Sequence, residues 1–61
     1  MEEKMRVLEE IRKTQEQLRQ AQQNFNYAEP KFIELAILEL NYNEDKLGLL
    51  NRIARKELSA S

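Results

Sequence analysis

The sequence predicts an all-α fold, an antiparallel two-helix hairpin that dimerises into a four-helix bundle, and three observations lead there. First, the 61 residues include one Gly and one Pro, so a helical backbone has few natural breaks. Second, Ala, Leu, Glu, Lys, Arg and Gln dominate, and these are strong helix formers. Third, apolar residues recur at alternating spacings of three and four, the mark of a helical seam and not of a strand. That periodicity also argues against disorder, although only 41% of the residues are hydrophobic and 34% are charged.

The first helix is expected over about 2–26. Ile11, Leu18 and Phe25 fall seven apart, with Val7, Thr14, Ala21 and Ala28 as the companion row. This is a heptad seam, and a weak one, because Thr14 and Ala21 are small and the flanking row passes from Leu8 to Gln15 and Gln22. Glu2 with Arg6 and Glu9 with Lys13 stand four apart in the favourable order, each pair contributing a few tenths of a kcal/mol. Alone, such a helix is poorly stable.

The turn is expected over 26–30, "NYAEP". Asn26 tolerates the left-handed conformation that ends many helices. Pro30 suits the first turn of a new helix, where its missing N–H costs nothing. The residue before a proline is driven out of helical geometry, which makes Glu29 the N-cap. Phe25 and Tyr27 are expected to close this end of the hairpin. So short a connection lays two helices antiparallel.

The second helix is expected over about 30–57, with "SAS" as a frayed tail. Its main stripe reads Ile33, Ala36, Ile37, Leu40, Leu47, Leu50 and Ala54, interrupted by Asn43 and Glu44. A further row, Leu35, Leu38, Tyr42, Leu49 and Ile53, lies on another face. One antiparallel partner covers one row only. Gly48 costs roughly 1 kcal/mol relative to Ala, and its expected use is close helix approach or a bend. Glu29, Glu34, Glu39, Glu44 and Asp45 precede Lys46, Arg52, Arg55 and Lys56, an order that complements the helix dipole. Asn43, Asn51, Gln15 and Gln22 would fix register if buried and are equally compatible with exposure.

The whole chain, 1–61, is one domain. A domain of this size covers only about 60% of its unfolded surface, so it needs a staple. With no Cys and no His, disulfides and the usual zinc sites are unavailable. Association, or unusually good helix packing, is the remaining source of stability.

Function classes narrow in the same way. Thr14, Ser59 and Ser61 are the only Ser or Thr residues, and no His or Cys base stands ready to activate them. Glu34, Glu39 and Glu44 are five apart, a rotation of about 140° at each step, so they do not converge. No catalytic residue, cofactor site or metal site is expected. Ten basic residues balance eleven acidic ones, unlike a nucleic-acid binder. Arg52, Arg55 and Lys56 would lie near Lys4 and Arg6, but Glu2, Glu3, Glu9 and Glu57 sit among them. No apolar run approaches the ~20 residues of a membrane span, the polar face of the first helix is rich in Glu and Gln where an interfacial helix wants Lys and Arg, and "MEEKMRVLEE" lacks the pattern of a signal peptide. A cytoplasmic location is expected.

What remains is a partner for Leu35, Leu38, Tyr42, Leu49 and Ile53. Left open, the row is a larger apolar patch than soluble monomers usually expose. Burying about four large aliphatic side chains contributes on the order of 6–10 kcal/mol before entropic costs. A second copy is the expected occupant; the alternative is a docking face for a different protein.

"NFNYAEPKFIELAILELN" followed by "NEDKLGLLNRIAR" resembles the YaaL-like family of small bacterial proteins, found mostly in Firmicutes. Phe25 and Tyr27 match its aromatic pair, and Glu29-Pro30 its acidic-Pro turn. Ile33, Ala36, Ile37 and Leu40 match its core, and Leu49, Leu50 and Ala54 its finish. The likeness covers about residues 10–56. It departs at Glu29, where Asp is commoner, at Tyr42-Asn43, where two alanines are expected, and at Leu47, where Tyr is expected. These last departures fall on the packing surface of the second helix. The family has no established activity, so the resemblance implies a helical hairpin in a bacterial cytosol and names no reaction.

The Spo0E-like aspartyl-phosphate phosphatases are also short hairpins with a Pro-led second helix, carrying a Ser-Gln-Glu-Leu-Asp motif. Residues 37–41, "ILELN", match it at Glu39 and Leu40 and lack its Ser and terminal Asp. That resemblance implies, as the alternative function, a regulatory adaptor that binds a bacterial signalling protein without dephosphorylating it.

Overall fold

The computed structural model describes residues 2–59 and has the expected architecture: two long helices packed against each other, with no strand among the described residues. Helix α1 spans Glu2–Asn26, a single 3-10 turn spans Pro30–Phe32, and helix α2 spans Ile33–Ser59. The second helix thus starts with a tighter turn than expected and runs past Glu57. Ser59, assigned to a frayed tail from sequence, is helical; Ala60 and Ser61 lie outside the described residues.

The connection is built from backbone hydrogen bonds. The amide of Tyr27 donates to the Gln23 carbonyl at 3.1 Å, and the amide of Ala28 donates to Phe25 at 3.4 Å. No described residue adopts a positive φ, so α1 ends without the left-handed residue anticipated at Asn26. Glu29 takes the extended geometry that Pro30 imposes, φ −67° and ψ 152°. It caps with its backbone alone: its carbonyl accepts from Phe32 at 2.8 Å, and its side chain makes no capping bond. Phe25 is half-buried, whereas Tyr27 is 86% exposed. Only the first of the two aromatics closes the hairpin, because Tyr27 falls in the turn, past the last helical residue of α1.

The seam of α1 is the predicted one. Val7, Ile11, Thr14, Leu18, Ala21 and Phe25 are its buried and half-buried apolar and hydroxyl positions, and Ala28, half-buried, continues the row into the turn. On α2 the inward row is Ile33, Ala36, Leu40, Asn43, Leu47, Leu50 and Ala54. Two positions differ from expectation. Ile37, placed in the main stripe, is 40% exposed, because an unbroken heptad from Ile33 through Ala36 to Leu40 turns it to the side. Asn43, read as an interruption, is a buried seam residue, and its Nδ2 donates to the Glu39 carbonyl at 2.9 Å. Asn51, Gln15 and Gln22 are exposed and do not set register.

A small crevice at the open end is lined by Lys4, Val7, Leu8, Ala54 and Glu57. It fixes the pairing level, with Val7 beside Ala54. Counting heptads toward the turn puts Ile11 level with Leu50, Thr14 with Leu47, Leu18 with Asn43, Ala21 with Leu40, and Phe25 with Ala36. Nearly every level sets a large side chain against a small or polar one. This has an energetic cost: among the described residues the buried ones are Ala21, Ala36, Ala54, Thr14 and Asn43, only Thr14 fully so, and no large apolar side chain joins them.

Gly48 has open space around the position of a Cβ, with nothing within 4 Å. It therefore serves no close approach of the two helices. The ion pairs of α1 also differ from the spacing expected: Glu9 reaches Arg12 at 3.9 Å instead of Lys13, and Glu16 pairs with Arg19. All four side chains are largely exposed, so each pair contributes little.

Candidate interaction surface

Leu35, Leu38, Tyr42, Leu49 and Ile53 are all exposed, between 37% and 66%. Their position on α2 follows a simple rule. Leu35 precedes Ala36 of the seam, Tyr42 precedes Asn43, Leu49 precedes Leu50, and Ile53 precedes Ala54. One residue along an α-helix is a rotation of 100°. The row is therefore a second seam, turned about 100° from the first and unable to face α1. Leu38 stands beside it, three residues after Leu35 and four before Tyr42.

Phe32 belongs to the same row. It is half-exposed and precedes Ile33 in the same way. Sequence reasoning counted the row only from Leu35 and passed over it; its signal was the three-residue step to Leu35. Glu39 and Lys46 occupy the remaining positions of the row. Near the turn, a shallow open groove of about 330 Å3 has Asn24 of α1 on one bank and Phe32, Leu35 and Glu39 on the other. Farther along, Tyr42 and Leu49 form a second hollow with Asp45 and Lys46. The Lys46 ammonium lies 6.0 Å from the Tyr42 ring centre, and the Lys31 ammonium 5.3 Å from that of Phe32. These cations cover part of two aromatic faces, and at exposed sites such contacts are worth about 0.5–1 kcal/mol. Met5 and Leu8, also exposed, form a separate apolar patch with Glu9 and Arg12 near the open end of α1.

The total surface gives this row its weight. The chain exposes 5230 Å2. A compact monomer of 7.3 kDa exposes about 4,200 Å2, and its unfolded chain about 10,600 Å2. The hairpin has thus removed about half of its unfolded surface, short of the ~60% usual for a small domain. Its radius of gyration, 14.1 Å, exceeds the ~10.5 Å of a compact chain of this length.

Among the described residues no group of three or more acidic side chains is placed to hold a metal ion. No described helix is long and apolar enough to cross a membrane. Comparison with protein-family models, curated proteins and solved structures finds no match to this chain.

Proposed function

We propose that this chain is a small non-enzymatic interaction protein that self-associates through α2, with two hairpins forming a four-helix assembly. The observation that carries this is the exposed row Phe32, Leu35, Tyr42, Leu49 and Ile53 beside a seam whose buried members among the described residues are three alanines, Thr14 and Asn43. The hairpin's own core is too thin for a domain held by neither disulfide nor metal. A second copy laid on the row removes the excess surface. About 1,000 Å2 per chain separates the hairpin from a compact monomer, and a standard stable interface takes about 800 Å2 from each partner. The angle between the two seams, about 100°, is also near the right angle at which a helix in a four-helix bundle meets its two neighbours.

A bacterial cytoplasmic setting and membership of the YaaL-like family belong to the same proposal, resting on the motifs quoted above. Sedimentation equilibrium with far-UV circular dichroism tests it. A helical dimer is expected across the micromolar range; a folded monomer at high micromolar concentration overturns the proposal.

A further inference from the structure

Two hairpins could meet in several ways, and three features select among them. The first concerns which helix the second copy touches. Asn24 borders the groove opposite Phe32 and Glu39, so its row is the part of α1 on that side. Stepping back by sevens from Asn24 gives Gln17, Glu10 and Glu3. That row is polar throughout and offers nothing to a dry interface. The second copy is therefore met by α2.

The second feature is charge. Residues 29–45 carry five acids, Glu29, Glu34, Glu39, Glu44 and Asp45, against Lys31 alone; residues 46–57 carry Lys46, Arg52, Arg55 and Lys56 against Glu57 alone. Helix α1 does not mirror this. Its first half, 2–13, has four acids and four bases, and its second half has Glu16 with Arg19. The segregated charge of α2 thus lies along a neutral partner within the hairpin. Laid parallel, two copies of α2 set acid against acid and base against base. Laid antiparallel, they set each acidic half against a basic half.

The third feature is register. The row alternates steps of three and four, so antiparallel pairings that interlock it differ by half a heptad in the position of the two-fold axis. With the axis at the level of residue 44, Leu35 lies across from Ile53 of the second copy, Glu39 across from Leu49, and Tyr42 across from Lys46. All four apolar members of the row between 35 and 53 are then covered. Phe32 falls level with Lys56, still within the second α2; moving the axis half a heptad toward the turn puts Ile53 level with Ala28, outside α2, and moving it the other way puts Leu35 level with residue 60, outside the described residues.

We infer that the partner on this face is a second copy whose α2 runs antiparallel to the first, α2 against α2, with the two-fold axis at the level of residue 44, between Tyr42 and Lys46. The inference rests on the self-association proposed above and adds its geometry. The two-fold axis sets the two copies of α1 side by side on one side of the α2 pair, and the acidic half of each α2 lies along the basic half of the other copy.

The absence of cysteine makes disulfide mapping clean. Chains carrying Leu35→Cys and Ile53→Cys are mixed in a glutathione redox buffer, and each is also oxidised alone. The expected result is a mixed Leu35→Cys/Ile53→Cys disulfide that dominates the mixture, with little dimer from either chain alone. Self-linking of each variant alone means a parallel pairing; it overturns the inference and leaves self-association standing. A dimer by sedimentation that gives neither linkage overturns the register. A monomer removes both readings together.

Charge reversal supplies a second arm that does not depend on cysteine at the seam. Lys46→Glu/Arg52→Glu/Lys56→Glu makes α2 largely acidic, and Glu34→Lys/Glu39→Lys/Asp45→Lys makes it largely basic. Each alone should lose at least about tenfold in dimer affinity, as like-charge juxtaposition costs more than 1 kcal/mol. Mixing the two should restore a heterodimer. Variants that self-associate as well as the parent, or that fail to pair when both remain helical, overturn the antiparallel arrangement.

Discussion

Thr14 is fully buried at the middle of the seam, and its Oγ1 has no hydrogen-bond partner. A threonine inside a helix commonly satisfies its hydroxyl on a carbonyl of the preceding turn; this one does not. A buried hydroxyl without a partner costs about 1–3 kcal/mol in lost hydration. Valine has nearly the same shape and a similar helix propensity, so Thr14→Val removes the unsatisfied group and changes little else. The expected gain is about 1 kcal/mol or more. For a protein this small the urea dependence is about 1 kcal/mol per molar, so the midpoint should rise by about 1 M. Thr14→Ser keeps the hydroxyl and loses a buried methyl, worth about 0.8 kcal/mol, and should move the midpoint down. The assay is urea unfolding followed by circular dichroism. All three chains are compared at one concentration, because any association raises apparent stability by mass action. The predicted order is Val above Thr above Ser. A valine variant at or below the parent refutes the reasoning, for it means the hydroxyl is satisfied after all, by a backbone carbonyl or by water.

Three other outcomes follow from the same surfaces. Leu38→Glu with Leu49→Glu should abolish self-association and most of the helicity, seen by analytical ultracentrifugation and far-UV circular dichroism, since charge is placed where about half the exposed row must become dry. Gly48→Ala should stabilise by about 1 kcal/mol in the same urea assay, because its Cβ meets open space; a loss would reveal a close neighbour there. Asn43→Leu should raise stability and broaden the range of species in sedimentation velocity, because a buried amide at a seam position limits register and oligomer state at a cost in stability.

The periodic part of the fold was legible from the residues. Val7, Thr14, Ala21, Ile11, Leu18 and Phe25 marked the seam of α1 because heptad spacing survives small and polar substitutions. The exposed row of α2 was legible for a related reason: an apolar residue one step ahead of several seam positions cannot share their partner. Several of the misreadings came from judging a residue by its type alone. Asn43 looked like a gap because its side chain is polar, yet the Glu39 carbonyl one turn back satisfies it. Ile37 looked like core because it is apolar, yet its neighbours fix its angle. Tyr27 looked like the partner of Phe25, but the helix ends between them. Gly48 invited a packing role that only its surroundings could refute. The ion pairs of α1 were misassigned by one residue because Arg12 and Lys13 offer Glu9 alternative spacings, and exposed pairs are too weak for sequence to decide between them.

The Cα trace of the hairpin extends 48 × 14 × 12 Å, which with side chains makes a rod about three times longer than it is thick. A second rod laid alongside adds width and almost no length. The particle would double its mass while becoming rounder, so its frictional ratio would fall on assembly. Elution volume would then move less than the change in mass suggests, and a size-exclusion column calibrated with spheres would place one rod and two rods close together. Sedimentation and diffusion measured on the same sample separate mass from shape, and through that combination the state of this protein becomes visible.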